Sequence, residues 1–179
     1  AKAPGSLAGR VVAITGGGGG IGGATAAALI AQGARVSIGD IEPGLAERTA
    51  SELGGGTVGL ALDVTDRVSF TDFLTETEAR LGPLEVLINN AGLSPLYPEL
   101  TAVTEELYDK THAVNAKGPF RLATLFGARM FDGDGGSIIN VSTAGSWRPD
   151  EHDLPYAMAK AGLNALTLGL AGAYNPKVR

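Results

Sequence analysis

The sequence contains no cysteine, which excludes disulfide frameworks, thiolate zinc sites, iron–sulfur clusters and cysteine nucleophiles. It has two histidines, His112 and His152, so we predict no histidine-rich metal site and no metal. Basic residues are also scarce: 14 Lys and Arg face 19 Asp and Glu, and the net charge of −5 disfavours nucleic acid or an anionic membrane as partner. No apolar run approaches the ~18 residues of a membrane span, and no signal peptide is recognisable. We therefore expect a soluble, cytoplasmic protein.

Glycine, in contrast, is abundant, at 27 of 179 residues, and it is concentrated in one place. Five consecutive glycines occupy positions 16–20, and Gly22 and Gly23 follow. The apolar, β-branched residues before this run (10–15) predict a buried strand, and the alanine-rich residues after it (21–32) predict a helix. A glycine run between a strand and a helix is a tight turn rather than a flexible linker.

Strands and helices alternate along the rest of the chain. Strands are predicted at 10–15, 35–39, 58–64, 84–88 and 137–141, and helices at 21–32, 43–53, 66–81, about 103–130 and 155–174. We expect Gly118-Pro119 to kink or split the fourth helix. This alternation indicates an α/β fold, a doubly wound parallel sheet with helices on both faces, in a single domain over 1–179.

A glycine turn that opens a helix can bind a diphosphate, because main-chain N–H groups point at the ligand and no side chain blocks its approach. A phosphate loop would need Lys-Ser/Thr where Ile21-Gly22 stands. Asp40 ends the second strand, 18 residues after Gly22 (40 − 22), near the spacing at which an acidic residue meets a ribose 2′-hydroxyl. Positions 16–34 hold no Lys or Arg for a 2′-phosphate, so NAD is favoured over NADP. The alternative is that Asp40 merely starts a turn.

Tyr156 and Lys160 lie four residues apart at the start of the last helix and so share a face. An ammonium group can lower the pKa of a nearby phenol, and the pair could then exchange a proton with an alcohol oxygen while a hydride moves at a nicotinamide. The alternative is a solvated helix face.

Three further polar residues are candidates for the same site. Ser142 and Thr143 follow the fifth strand, at the edge where a parallel sheet forms its ligand crevice, and one hydroxyl could orient a substrate carbonyl. Asn115 lies among Ala113, Val114 and Ala116 and could hold a water that links Lys160 to solvent. The alternative for Asn115 is an ordinary surface position.

Together these motifs resemble those of the classical short-chain dehydrogenases/reductases, over essentially the whole chain. The matching segments are Thr15-Gly16 with Gly20-Ile21-Gly22, Asp63-Val64, Asn89 to Gly92, Val114 to Phe120 and Tyr156-Ala157-Met158-Ala159-Lys160. The resemblance implies a Rossmann-type fold, a nicotinamide cofactor, Tyr156 as general acid/base, Lys160 on the nicotinamide ribose and Asn115 in a proton relay. The implied cofactor contacts, besides Tyr156 and Lys160, are Thr15, Gly16, Gly18, Gly19, Gly20, Ile21, Gly22, Asp40, Ile41, Asp63, Val64, Asn90, Ala91 and Gly92.

The chain departs from the family pattern in two respects. The family's catalytic serine stands 13 residues before the tyrosine, where this chain has Thr143 (156 − 143 = 13); residue identity and Gly145 instead favour Ser142, which we prefer. Family members also usually continue with a sixth strand, a substrate-binding segment and a seventh strand. We expect the sheet here to stop after the fifth strand and its helix, leaving an exposed edge, as in a fragment.

The resulting hypothesis is an NAD-dependent dehydrogenase or reductase that interconverts a secondary alcohol and a ketone. A non-catalytic dinucleotide-binding regulator and a methyltransferase are the rivals. Loops 93–100 and 146–154 mix apolar and charged residues, which suggests a hydrophobic or mixed-polarity substrate. By resemblance, we expect a homo-oligomer, a dimer or tetramer formed through helices 103–130 and 155–174.

Overall fold

A computed structural model describes residues 7–179. Its strands are β1 Val11–Thr15, β2 Arg35–Asp40, β3 Val58–Ala61, β4 Val86–Asn89 and β5 Ser137–Asn140. Its α-helices are α1 Gly20–Ala31, α2 Pro43–Leu53, α3 Arg67–Leu81, α4 Glu105–His112, α5 Gly118–Asp132 and α6 Leu154–Tyr174. A π-helical segment, Ala113–Lys117, joins α4 to α5.

The five strands form one parallel sheet in the order β3-β2-β1-β4-β5. Consecutive strands are connected through helices, and the order reverses between β1 and β4. The carboxyl ends of β1 and β4 therefore border the crevice where ligands bind in open sheets of this kind. The predicted α/β, Rossmann-type fold is confirmed.

Both faces of the sheet carry an apolar core. Val11 and Ala13 of β1 pack with α3 and α5 on one face, while Val12 and Ile14 pack with α1 on the other. Successive residues of a strand point to opposite faces, so an uninterrupted apolar strand can serve both cores.

Two predicted elements differ in their bounds. β3 ends at Ala61 instead of Val64, because Asp63 already belongs to a turn in which its carboxylate accepts hydrogen bonds from Thr65. The expected helix over 103–130 is two α-helices joined by the π-helical segment, and Pro119 stands in the first turn of α5, where proline is tolerated. The interruption thus lies ahead of Gly118-Pro119 and includes Asn115.

The sheet has five strands, as expected, and the outer edge of β5 is partly paired by the last residues of the chain. Val178 forms a parallel bridge with Gly136, and the amide of Ile138 donates to the carbonyl of Arg179 at 2.7 Å. Residues 177–179 thus lie where a sixth strand would pair. Ile139, on the face that bears α1, is still 49% exposed.

Among residues 7–179, no helix combines the length and the apolar character needed to cross a bilayer. In the same part of the chain, no three His, Asp or Glu side chains come together as a metal site would require.

Candidate active site

The glycine turn between β1 and α1 is packed closely on its inner side and open on its outer side. A Cβ on Gly16 would lie 2.8 Å from the Cα of Ala91, and a Cβ on Gly22 would collide with the carbonyl oxygen of Gly16. A Cβ on Gly19 or Gly20, in contrast, would have no other atom within 4 Å. Only glycine fits the inner positions, while the outer ones border open space at the start of α1.

Thr15 and Asn90 fasten this turn to the end of β4. The Thr15 hydroxyl oxygen accepts from the amides of Asn90 and Ala91 at 3.0 and 2.9 Å. The Asn90 side-chain amide donates to the carbonyls of Thr15 and Gly16, both at 2.9 Å. These two predicted cofactor residues therefore hold the turn in place.

Asp40 meets the turn from the end of β2. Its carboxylate accepts from the amide of Gly18 at 3.0 Å and from the amide of Glu42 at 3.2 Å. The bond from Glu42 is the one expected of an aspartate that starts a turn. The bond from Gly18 places the carboxylate beside the glycine turn. The turn-starting interpretation of Asp40 thus describes an observed contact, while its contact with a ribose stays a prediction.

The remaining predicted cofactor residues differ in accessibility. Ile21 and Ile41 are 68% and 69% exposed, whereas Val64 is buried in the core on the α3 face. Asp63 is half-buried and bonded to Thr65. Val64 therefore offers a ligand little side-chain surface.

Lys160 lies deep at the start of α6, with 2% of its surface exposed. Its Nζ donates to the carbonyl oxygen of Val141 at 2.7 Å and lies 5.7 Å from the centre of the Tyr156 ring. Burial lowers the pKa of Lys160 to about 8. The pair shares a face as predicted, and that face is not a solvated one.

The expected lowering of the Tyr156 pKa is wrong for this structure. Burial raises the pKa of the Tyr156 phenol, and the nearby carboxylate of Asp153 raises it further. The ammonium group of Lys160 donates its hydrogen bond to the carbonyl of Val141 and not to the phenol. The sequence shows the spacing of the pair but not the burial of the phenol.

Asn115 is fully buried within the π-helical segment, so the surface interpretation is wrong. Its side-chain amide donates to the carbonyls of Leu93 and Thr111 at 2.6 and 2.8 Å, and its Oδ1 accepts from the amide of Leu93 at 3.1 Å. Asn115 thereby holds the loop after β4. Gly92 lies between it and Lys160: a Cβ there would be 3.1 Å from Asn115 Oδ1 and 3.8 Å from Lys160 Nζ.

The two candidate hydroxyls after β5 have different partners. Ser142 is exposed, and its Oγ lies 3.5 Å from the carbonyl oxygen of Lys160 on α6. Thr143 Oγ1 accepts from the amide of Gly145 at 3.2 Å and so caps a short 3-10 turn at Ala144–Ser146.

Two contacts at this site are not evident from the sequence. The carbonyl of Val141 holds Lys160, and Tyr97, which the sequence presents only as an apolar loop residue, bonds to the start of α6. The first is a main-chain group, which residue identity does not reveal. For the contact of Tyr97, the sequence offers one signal, which is a tyrosine in a loop that packs beside the start of a helix.

The residues present fit a dinucleotide. The first turn of α1 contains no acidic residue, and its N-cap, Gly19, supplies no side-chain acceptor for the main-chain N–H groups. The open surface over Gly19 and Gly20 leaves room for a diphosphate there. Asp40 stands beside the turn as a ribose-binding carboxylate would.

Fold and site together define a Rossmann-type α/β domain with a glycine turn that fits a dinucleotide. The sequence model of the family described as "short chain dehydrogenase" matches residues 10–179. The chain belongs to the short-chain dehydrogenase family.

Among curated relatives, the sorbitol dehydrogenase of Cereibacter sphaeroides is 38% identical over 162 residues, covering 90% of this chain and 63% of the relative. The D-threitol dehydrogenase of Mycolicibacterium smegmatis is 33% identical, covering 94% and 65%. A solved 3-ketoacyl-(acyl-carrier-protein) reductase from Brucella melitensis, complexed with NADH, superposes with a TM-score of 0.91 at 29% identity, covering 97% and 74%. The chain thus spans about two thirds of the length of these curated relatives.

Proposed function

We propose that this protein is an NAD-dependent oxidoreductase that interconverts a secondary alcohol and a ketone. The observation that carries the proposal is the convergence of Gly92, Asn115, Lys160 and the half-buried Tyr156 at the carboxyl end of the sheet, next to a glycine turn that fits a diphosphate. The dehydrogenase and reductase names of its relatives agree with it.

Each residue has a defined task in this proposal. The nicotinamide, when bound, supplies or takes up the hydride. Tyr156 exchanges the proton with the substrate oxygen, and Lys160 binds the nicotinamide ribose. Asn115 fixes the loop after β4 and takes part in a proton relay beside Lys160. Ser142 orients the substrate oxygen: its hydroxyl is exposed and near α6, whereas that of Thr143 caps a turn. Thr143 remains the alternative for that role.

The raised pKa of Tyr156 favours one direction. A phenol that keeps its proton at neutral pH is ready to donate it to a carbonyl oxygen. The carbonyl carbon gains the hydride, its oxygen gains the Tyr156 proton, and the phenolate is reprotonated from solvent. We therefore propose that ketone reduction runs readily at neutral pH and alcohol oxidation at higher pH.

NAD is proposed over NADP because the Asp40 carboxylate beside Gly18 would repel a 2′-phosphate. The contact of Asp63-Val64 with adenine is also proposed, with the Asp63 main chain or carboxylate as the binding group, since Val64 is buried.

Assembly through α5 and α6 is a further part of the proposal. Phe120 is 53% exposed on α5, and Met158 and Leu168 are 48% and 77% exposed on α6. Apolar side chains on neighbouring helices favour association with a second copy.

The test is to titrate the full-length protein with NADH, NADPH and S-adenosylmethionine, and to measure NADH formation or use with sorbitol, D-threitol and a panel of secondary alcohols and ketones. NADH binding with turnover is expected. Binding without any turnover would favour the regulatory alternative, and failure to bind either dinucleotide would overturn the proposal.

A further inference from the structure

The hydroxyl group of Tyr97 connects the loop after β4 to the start of α6. Its oxygen accepts from the main-chain amide of Leu154 at 2.9 Å, and its proton is donated to the carbonyl of Glu151 at 2.7 Å. The residue is buried, with 7% of its surface exposed. A buried hydroxyl with both a donor and an acceptor satisfied is held in one orientation.

The start of α6 lacks the side-chain cap that α3 and α4 have. Asp66 caps α3 and Thr104 caps α4, each accepting from amides of the first turn. The N-cap of α6, Asp153, makes no such bond. The Leu154 amide is bonded instead by Tyr97, from 57 residues earlier in the chain. Tyr97 therefore takes over the capping of the Leu154 amide, one of the helix-start amides that have no partner within the helix.

This cap lies directly before the proposed acid/base. Tyr156 stands two residues after Leu154, in the first turn of α6. The loop that carries Tyr97 is held at its beginning by Asn115, which bonds both main-chain groups of Leu93. One loop therefore connects the Asn115 position to the Tyr156 position.

We propose that Tyr97 is a positioning residue, whose hydroxyl fixes the first turn of α6, and with it Tyr156, against the loop after β4. The inference rests on the proposed function for its catalytic consequence. Both partners of the hydroxyl are main-chain groups, so the link does not depend on the side chains at positions 151 and 154.

Tyr97→Phe removes only the hydroxyl, and Tyr174→Phe is a matched control. The Tyr174 hydroxyl also donates to a main-chain carbonyl, that of Thr124 at 3.2 Å, but Tyr174 lies at the other end of α6, about 27 Å along the helix from Tyr156 at ~1.5 Å per residue. Tyr97→Phe loses two hydrogen bonds and Tyr174→Phe one, so both variants should lose stability, Tyr97→Phe more than Tyr174→Phe. Hydrogen exchange and steady-state kinetics of the full-length protein then separate their effects.

For Tyr97→Phe we expect faster amide exchange in residues 151–157 and a kcat about tenfold lower, with KM for NAD and the NADH dissociation constant within about twofold. Tyr174→Phe should change none of these. Unchanged kcat in Tyr97→Phe, or an equal loss in both variants, would overturn the positioning role. If the wild-type protein turns over no substrate, the proposed function and the positioning role fail together, and unchanged exchange at 151–157 would separately show that Tyr97 does not cap α6.

Discussion

The glycine turn and the first turn of α6 lie at the same edge of the sheet, yet they are built in different ways. The glycine turn is shaped by close main-chain packing and fastened by four hydrogen bonds from Thr15 and Asn90. The start of α6 depends on a few individual hydrogen bonds: that of Lys160 to Val141, and those of Tyr97 to Leu154 and Glu151. The first region tolerates few substitutions because space is lacking. At the start of α6, substitutions should still allow the protein to fold, but on our proposal they slow the reaction.

The largest expected effect is on the side of α6. Tyr156→Phe removes the proposed proton donor without removing the ring, so kcat should fall by about 10²- to 10⁴-fold. Binding of NADH should stay within about twofold, because the glycine turn is untouched. Kinetics and NADH fluorescence titration check this, with Tyr174→Phe as control. Turnover that survives the substitution would exclude Tyr156 as the acid/base.

On the side of the glycine turn, Gly22→Ala should destabilise the protein by about 1–3 kcal/mol, since the new methyl group meets the carbonyl oxygen of Gly16. Gly19→Ala should lower the melting temperature less than Gly22→Ala, because its Cβ enters open space and only the N-cap of α1 is weakened, yet it should weaken NADH binding if a diphosphate lies there. Gly162→Ala, whose Cβ also enters open space, is the control for NADH binding; because Gly162 lies inside α6, its melting temperature should rise. Equal melting temperatures for Gly22→Ala and Gly19→Ala would contradict the packing argument.

Lys160 offers a test by pH. Its pKa in the folded state is about 8, below its ordinary value of 10.5, so the unfolded chain binds more protons between these values. The cost of burying the ammonium group is fully present below pH 8 and declines as the pH rises towards 10.5, so stability should rise over this range, by at most about 3 kcal/mol. Lys160→Met should remove that rise in urea denaturation curves. A variant with the slope of the wild type would show that Lys160 is not its source.

The smallest expected effect concerns cofactor choice. Asp40→Ser removes the carboxylate beside Gly18, and the preference for NADH over NADPH should fall by about tenfold, measured as a ratio of dissociation constants. Glu42→Gln, a nearby exposed carboxylate, is the control. If Asp40→Ser leaves the ratio unchanged, Asp40 only supports the turn.

Much of the fold was predictable from the sequence, because apolar runs, glycine positions and helix periodicity each reflect local physics. The five strands, their parallel arrangement and both cores follow from such patterns. The site residues could be named, but their environments could not. The burial of Asn115, the raised pKa of Tyr156 and the hydroxyl link of Tyr97 each depend on contacts between segments more than 20 residues apart or on solvent exclusion, neither of which a local pattern encodes.

The π-helical turn at Ala113–Lys117 has a geometric consequence for the chain that follows it. One surplus residue in a helix rotates everything downstream by about 100°, since each residue of an α-helix turns by that angle. The apolar stripe of α5, with Leu122 and Phe126, faces the sheet only at the rotation about the helix axis that this extra residue produces. Deleting a single residue from 113–117 should therefore turn that stripe towards solvent. The π-helical segment thus determines which face of α5 packs against the sheet.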